Sequence, residues 1–477
     1  MPRRHVRLAP PDAAEIAAAL AELRDDLNVR LDFPDEVVAD AESSAASPRP
    51  PDADETGIPF VTIDPPESRD LDQALHLERN GAGYRVHYAI ADVAVFVKPG
   101  GPMDVEAHSR GETLYAPDRN ARLYPPQLSE GVGSLLPEEE RPAVVWTMEV
   151  DSGGEGIDVD VRRALVRSRE KLDYAGVQHS LDDGTAPESL QLLREVGLLR
   201  QEREERQDGI NLPIPEQVVD RGPDGWDLSF RAPLPVEGWN AQISLMAGQA
   251  AAELMLDAGV GILRTLPRAD PQAVARLRRT ANALGIDWPG DVSYADVIRT
   301  LDPKLPAHAA FLSESTVLLR GSSYAVIGDA AASQPRHAGV GAPYSHATAP
   351  LRRLVDRYVG EVCIAVCAGA DVPGWVVEAL PGLPETMERS NRRAQQYEAG
   401  IVSAVEAAVL QQSVGQVFDA MVVEVDEKDG GGVVQLLEPA VTARCVGDLP
   451  LGESVHVRLT LADVAKRQVR FALVQRG

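Results

Sequence analysis

The sequence predicts an α+β protein followed by a small all-β domain. Three observations predict this. Strand-rich sequence runs to about residue 167, including the alternation Val144-Val145-Trp146-Thr147-Met148-Glu149-Val150. Helical periodicity then takes over, without the regular strand–helix alternation of a doubly wound sheet. From about residue 414 the pattern changes to five short strands in some 60 residues.

Taken in order, residues 11–28 have helical periodicity behind a Pro11-Asp12 start. Residues 41–57 are rich in Ser, Ala, Pro and Asp and read as a linker. After the strand-rich part, helices are expected at about 187–208, 239–258, 270–285, 306–319, 350–368 and 384–413. The last strands read Phe418 to Val425, Val433 to Leu437, Val441 to Cys445, Ser454 to Leu461 and Gln468 to Leu473, with Asp429-Gly430-Gly431-Gly432 as a hairpin turn. Five such strands suit a small OB-like barrel, and Phe418 and Phe471 are its exposed aromatics. The expected division is 1–57 (helix and linker), 58–413 (main domain) and 414–477 (barrel).

Composition bounds the answer. The 477 residues are 44% apolar, ample for one large core and one or two small ones. No run of about 18 apolar residues offers a membrane span. Arg3, Arg4 and Arg7 precede no apolar stretch of the kind a secretory signal needs. Cys363, Cys367 and Cys445 lack metal-ligand spacing, and the first two lie four apart on an apolar helical run, as core residues do. A reducing cytoplasm fits. The formal charge of −26 argues against a protein that coats nucleic acid indiscriminately. It leaves room for a narrow basic channel, for which Arg162, Arg163, Arg167, Arg169 and Lys171, or Arg336, His337, Arg352, Arg353 and Arg357, are candidates.

Two segments carry chemistry. In Ile63-Asp64-Pro65-Pro66-Glu67-Ser68-Arg69-Asp70-Leu71-Asp72-Gln73, three aspartates fall within nine residues. Pro65 and Pro66 forbid a helix and bend the chain, so Asp64 can approach Asp70 and Asp72. Clustered carboxylates repel unless protons or a cation intervene. Mg2+ takes one or two carboxylates, water and phosphate oxygens, which is the equipment of phosphodiester hydrolysis. A solvated acidic loop is the other reading of the same residues. The second segment is Tyr344-Ser345-His346-Ala347-Thr348-Ala349-Pro350-Leu351-Arg352-Arg353. Thr348-Ala349-Pro350 reads as a helix start. Arginines in a first turn oppose the helix dipole, so an anionic ligand would explain them. Surface pairing with Asp356 and Glu361 would explain them equally.

Together these segments resemble the catalytic RNB domain of the ribonuclease II / ribonuclease R family. The family pattern is Ile-Asp, a gap, then Asp-x-Asp-Asp-Ala; here it is Ile63-Asp64, then Asp70-Leu71-Asp72-Gln73-Ala74. Further matches are Ala89-Ile90-Ala91-Asp92-Val93, Tyr115-Ala116-Pro117-Asp118-Arg119, Pro126-Gln127-Leu128-Ser129, Ser134-Leu135 and Tyr344 to Arg353. The match spans roughly residues 57–410. It implies a mixed sheet with surrounding helices and a metal-dependent 3′-to-5′ exoribonuclease releasing nucleoside 5′-monophosphates from single-stranded RNA.

By position, the resemblance makes Asp64, Asp70, Asp72 and Gln73 the holders of Mg2+, with Mn2+ as a substitute. Asp72 and Arg352 would be catalytic, with Arg352 stabilising charge on the phosphate. Tyr115 would stack on a base near the 3′ end. Tyr344, His346, Arg353 and Glu398 would contact RNA. The C-terminal barrel is where the family keeps an RNA-binding barrel. Only 57 residues precede Ile58, too few for the family's two cold-shock barrels, so a short form with a weaker grip on RNA is expected. No protein partner is named by the sequence.

The chain departs from the family pattern at three places. Gln73 replaces the fourth aspartate. Trp239-Asn240-Ala241-Gln242-Ile243-Ser244 carries amides and a hydroxyl where acidic residues are common. Ala347 and Ala349 replace an aromatic residue and a serine, which suggests a roomier or differently packed pocket. Two rival readings follow: a catalytically impaired RNA-binding protein, for which Gln73 is the motive, and a nuclease acting on DNA or short oligonucleotides.

Overall fold

The computed structural model describes residues 10–47, 51–207, 209, 210, 212, 216–222, 225–231, 233–302, 305–329, 332, 335–426, 431–436 and 441–476. The chain opens with α1 (Pro10–Asp26) and α2 (Asp35–Ala46). The second helix takes up the start of the expected linker, because Val37 and Ala41 bury one face against the main core.

Strands β1 (Phe60–Ile63), β2 (Gln73–Asn80) and β3 (Gly83–Ala91) follow, then α3 (Pro102–Arg110), β4 (Glu140–Val150) and β5 (Gly156–Leu172). The expected mixed sheet is closed: β1 to β5 form a barrel in sequence order, antiparallel throughout except where β1 meets β5 in parallel. Closure leaves no open edge. The alternation expected in β4 holds from Trp146 to Val150, and an unbroken buried run, Pro142 to Trp146, precedes it. Along that run both faces of the strand are inside. Tyr88 and Trp146, cross-strand partners and almost fully buried, anchor this core.

The helical part comprises α4 (Tyr174–Asp182), α5 (Glu188–Arg206), the hairpin β6 (Glu216–Gly222) and β7 (Gly225–Arg231), and α6 (Pro235–Ala258). Next come β8 (Ile262–Thr265), α7 (Pro271–Ala283), α8 (Tyr294–Arg299), α9 (Pro306–Ser315), β9 (Ser323–Val326), β10 (Arg336–His337) and β11 (Ala342–Pro343). Strands β8 and β9 pair with each other, as do β10 and β11. α10 (Leu354–Cys367), α11 (Gly374–Ala379) and α12 (Leu383–Leu410) complete the main body. Cys363 is fully buried, as its helical spacing predicts.

α10 starts four residues later than expected. Arg353 is extended (φ −134°, ψ 126°) because it forms a β-bridge with Glu112, and the Leu354 amide donates to the Gly111 carbonyl. Arg352 and Arg353 therefore precede the helix rather than occupy its first turns.

The last strands, β12 (Val417–Asp426), β13 (Gly431–Leu436), β14 (Val441–Val446), β15 (Ser454–Asp463) and β16 (Gln468–Arg476), close as a second five-stranded barrel in the order β12-β13-β14-β16-β15. Asp429 and Gly430 of the expected hairpin turn lie outside the described residues. Phe471 is fully buried with its ring 6.0 Å from Phe418, which corrects the expectation that it is exposed. α1, α12 and this barrel share one apolar cluster.

Candidate active site

The acidic segment is the link from β1 to β2, and three devices shape it. The Asp64 amide donates to Leu172 O at 3.0 Å and continues the parallel pairing of β1 with β5. Lys171, next along β5, donates to the Pro66 and Ser68 carbonyls, each at 2.6 Å, and holds the loop that the two prolines bend. Ser134 Oγ donates to Arg69 O at 2.6 Å and accepts from the Leu71 amide at 2.9 Å. Asp64, Asp70 and Asp72 thus sit at one end of the first barrel.

The arginine segment reaches this end from some 280 residues downstream. The Leu351 amide donates to Asp72 Oδ1 at 2.7 Å, and Arg352 Nε lies 3.3 Å from Asp72 Oδ2. Asp72 is buried, whereas the Arg352 side chain keeps 43% of its exposure. One charged end of the pair is therefore fixed inside and the other remains accessible. Arg353 turns inward and clasps Asp356 through Nε at 3.0 Å and Nη2 at 2.8 Å. Asp356 Oδ1 also accepts from the Ala349 amide at 2.7 Å.

The carboxylates are poorly compensated. Burial pushes Asp72 up to about 8 against the opposing pull of Arg352 and the Leu351 amide, and Asp70 and Asp356 add to the rise. Burial likewise raises Asp64 to about 6, with Lys171 and Arg352 opposing and Asp70 reinforcing. An added cation would return Asp72 to the charged form at neutral pH and hold Asp64 in it. Their hard oxygen donors suit Mg2+, which completes its shell with water and phosphate oxygens.

Among the described residues, however, no three His, Cys, Asp or Glu side chains are grouped to hold an ion by themselves. The expected set Asp64, Asp70, Asp72 and Gln73 is thus not preassembled. Arg352 engages Asp72, Tyr115 Oη donates to Asp70 Oδ2 at 3.1 Å, and Gln73 Nε2 donates to Thr348 O at 2.6 Å.

Beside this cluster opens a cavity of about 430 Å³. Arg352, Arg353, Tyr115, His346 and Glu398 line it. Tyr115 is 48% exposed and offers a ring face. His346 shares a 2.6 Å hydrogen bond with Tyr324 through Nδ1. Burial, with Arg353 and Arg264 nearby, holds His346 well below its usual range, so it is neutral. Tyr344 is the exception among the expected RNA contacts. It packs edge-on to His346 at 5.4 Å and fills the space a Cβ on Gly248 would take, which makes it a support for the wall.

Other expectations are corrected. Ala347 and Ala349 are buried and do not line this cavity; Ala347 faces a small second one beside Pro350 and Asp356 instead, so the space it leaves lies behind the site. Four of the five in the first channel group are spent on structure: Arg162 pairs with Glu55 and Asp160, Arg163 with Asp92 and Glu361, Arg169 donates to Thr56 O, and Lys171 holds the loop. In the second group, Arg357 is buried on Asp104.

Asn240 and Ser244 of α6 stand near the acidic end, whereas Gln242 turns away and donates to Glu204 at 2.7 Å. Ser244 Oγ shares a 2.6 Å hydrogen bond with Tyr88, and Asn240 Nδ2 donates to Tyr174 Oη at 3.2 Å. Both tyrosines lie within electrostatic reach of Asp64.

Sequence reasoning missed Glu112, Arg264, Tyr324, Met387, Asn391 and Tyr397, all of which line the cavity. For three of them a signal existed: Met387, Asn391, Ala394 and Glu398 share one face of α12 at helical spacing, with Tyr397 beside them. Arg264 and Tyr324 sit on two short strands that pair only in the fold. Tyr397 is held from behind: Arg24 on α1 donates to its hydroxyl at 2.9 Å and pairs with Asp118.

Comparison with known proteins adds the following. The RNB domain family matches residues 53–368, and the RNase II-type exonuclease C-terminal S1 domain matches residues 416–474. Ribonuclease R of Thermotoga maritima is 24% identical over 95% of this chain and 70% of its own length. The exosome complex exonuclease RRP44 homolog A of Arabidopsis thaliana is 30% identical over 73% of this chain, which spans 39% of that relative. The structure of Mycoplasma genitalium RNase R in complex with ribose methylated single-stranded RNA superposes with a TM-score of 0.85 at 18% identity, covering 96% of this chain and 78% of that one.

Proposed function

The chain belongs to the RNB family of 3′-to-5′ exoribonucleases, and from that premise we propose that it hydrolyses single-stranded RNA from the 3′ end to nucleoside 5′-monophosphates with a divalent metal. The observation that carries this reading is the meeting of Asp72 with Leu351 and Arg352, which joins two distant acidic and basic segments beside a cavity that Arg352 lines.

The roles follow from the chemistry. Asp64, Asp70 and Asp72 would hold Mg2+, or Mn2+ in its place, with the scissile phosphate. The metal supplies an activated water and withdraws charge from the phosphate oxygens. The exposed end of Arg352, already held on Asp72, donates to the phosphate where negative charge develops. Tyr115 stacks on a base near the 3′ end, which suits any sequence because every base has a face. His346 and Glu398 line the path of the terminal nucleotides. Arg353 acts from behind, through Asp356. Asp70, which accepts from the Tyr115 hydroxyl, would be free to hold the cation once that hydroxyl turns away.

A second reading, an RNA-binding protein with impaired catalysis, draws on Gln73, whose amide nitrogen is engaged by Thr348 rather than by the acidic end. One experiment separates the two: 5′-labelled single-stranded RNA is incubated with and without Mg2+ or Mn2+, beside Asp72→Asn and a matched DNA strand. A metal-dependent ladder shortening from the 3′ end on RNA, lost in the variant, supports the enzyme. Retained RNA binding with no ladder under either metal supports the silent binder. A ladder on DNA alone overturns both.

A further inference from the structure

Gln73 has a contact that an ionised carboxylate cannot make. Its Nε2 donates to Thr348 O at 2.6 Å, and Thr348 is buried. The partner decides which end of the amide faces it: a carbonyl oxygen at that distance only accepts, so the group opposite must donate. An ionised aspartate or glutamate would set acceptor against acceptor and leave a buried carbonyl unpartnered.

Thr348 begins the segment that brings Arg352 to the acidic end. Within five residues the segment is gripped at both ends by consecutive side chains. Gln73 takes the Thr348 carbonyl, and Asp72 takes the Leu351 amide and the Arg352 guanidinium. Asp356 grips it from the other side through the Ala349 amide and Arg353. Asp72 and Asp356 are acceptors and hold N–H groups, whereas Gln73 brings a donor and holds a carbonyl.

We infer that Gln73 is a positioning residue, whose amide clamps the Thr348–Arg352 segment so that Arg352 stays on Asp72, and that it is not a metal ligand. This deepens the hydrolytic reading above and rests on it. The replacement of a carboxylate by an amide exchanges ligand charge for a fixed arginine. Removing the donor lets the segment drift, and a displacement of about 1 Å costs about 10²-fold in turnover. RNA affinity, spread over the rest of the cavity, stays nearly the same.

The test uses the full chain as wild type, Gln73→Ala, Gln73→Glu, Arg352→Ala and the double variant Gln73→Ala/Arg352→Ala. It measures kcat and KM on single-stranded RNA with Mn2+, and Mn2+ affinity without RNA by electron paramagnetic resonance titration. Expected results are a kcat about 10²-fold lower in both Gln73 variants with KM little changed, unaltered Mn2+ affinity in Gln73→Ala, and no further loss when Gln73→Ala is added to Arg352→Ala. Weakened Mn2+ binding in Gln73→Ala, losses that multiply in the double variant, or a Gln73→Glu enzyme faster than wild type would overturn the clamp. If wild type does not cleave RNA, the hydrolytic reading fails by itself. The clamp is then judged by amide exchange at Leu351 and Arg352: faster exchange in Gln73→Ala upholds it, and unchanged exchange removes it.

Discussion

Two closed barrels of five strands lie in one chain and do different work. The first, β1 to β5, carries one buried and two half-buried carboxylates at one end and has an arginine delivered to the buried one from a distant segment. The second, β12 to β16, buries Phe471 and joins α1 and α12 in a shared apolar cluster. Strand count and closure are alike, and the strand orders differ, with β14 beside β16 in the second barrel, but order alone assigns no chemistry to either. What separates them is the connection between two strands. The β1–β2 link is bent by prolines, pinned by Lys171 and Ser134, and loaded with aspartates. On the proposed reading, function is carried by a connection that a rigid barrel holds still.

The contrast is tested most severely by Asp72→Asn, which keeps the shape and removes the charge. The expected loss is several kcal/mol of transition-state stabilisation, about 10³-fold or more in kcat, measured on labelled RNA; a loss below tenfold would remove Asp72 from the chemistry. Phe471→Ala puts the same question to the second barrel. It should destabilise that barrel by roughly 3–5 kcal/mol, seen in denaturant unfolding, while kcat on a short RNA stays unchanged where the main domain is folded. A parallel collapse of kcat would make the second barrel part of the site.

Smaller changes sharpen the picture. Arg352→Lys keeps the charge and loses the planar fork, so kcat should fall about 10²-fold. Tyr115→Phe deletes the bond to Asp70 and keeps the ring, with an expected effect of about 1 kcal/mol. Its final product length should match wild type, whereas Tyr115→Ala should shift it. A last effect concerns pH and stability, with no change in turnover expected. Burial, aided by Arg264, holds His337 down to about 4 from its ordinary 6.5. Its folded value lies below its unfolded one, so the unfolded chain takes up the proton first. The contribution to stability is full above about 6.5 and is lost as pH falls towards 4. His337→Gln should flatten that part of the stability profile, read by thermal unfolding at stepped pH.

Much of this was legible in the sequence for physical reasons. The helices showed through their 3.6-residue periodicity, and the C-terminal strands through their turns. The aspartates and arginines stood out because charges of those kinds are costly to gather. Other features depended on distant partners. Nothing near Arg353 announces that Glu112 will pull it out of a helix. Nothing in Gln73 announces that Thr348 will claim its nitrogen. The burial of Phe471 follows from barrel closure, which alternation along one strand does not report. Arg264 and Tyr324 come together, with the guanidinium 4.6 Å from the ring centre, only when β8 pairs with β9.

The hydrogen bond from Arg24 to Tyr397 gives the first helix a stake in what the cavity holds. Tyr397 belongs at once to the cavity wall and to the docking surface of α1. A ligand that steadies the wall steadies the helix, and by reciprocity an undocked helix loosens the ligand by the same free energy. Protection of the α1 amides against hydrogen exchange is therefore a gauge of occupancy at the cavity, readable without any turnover.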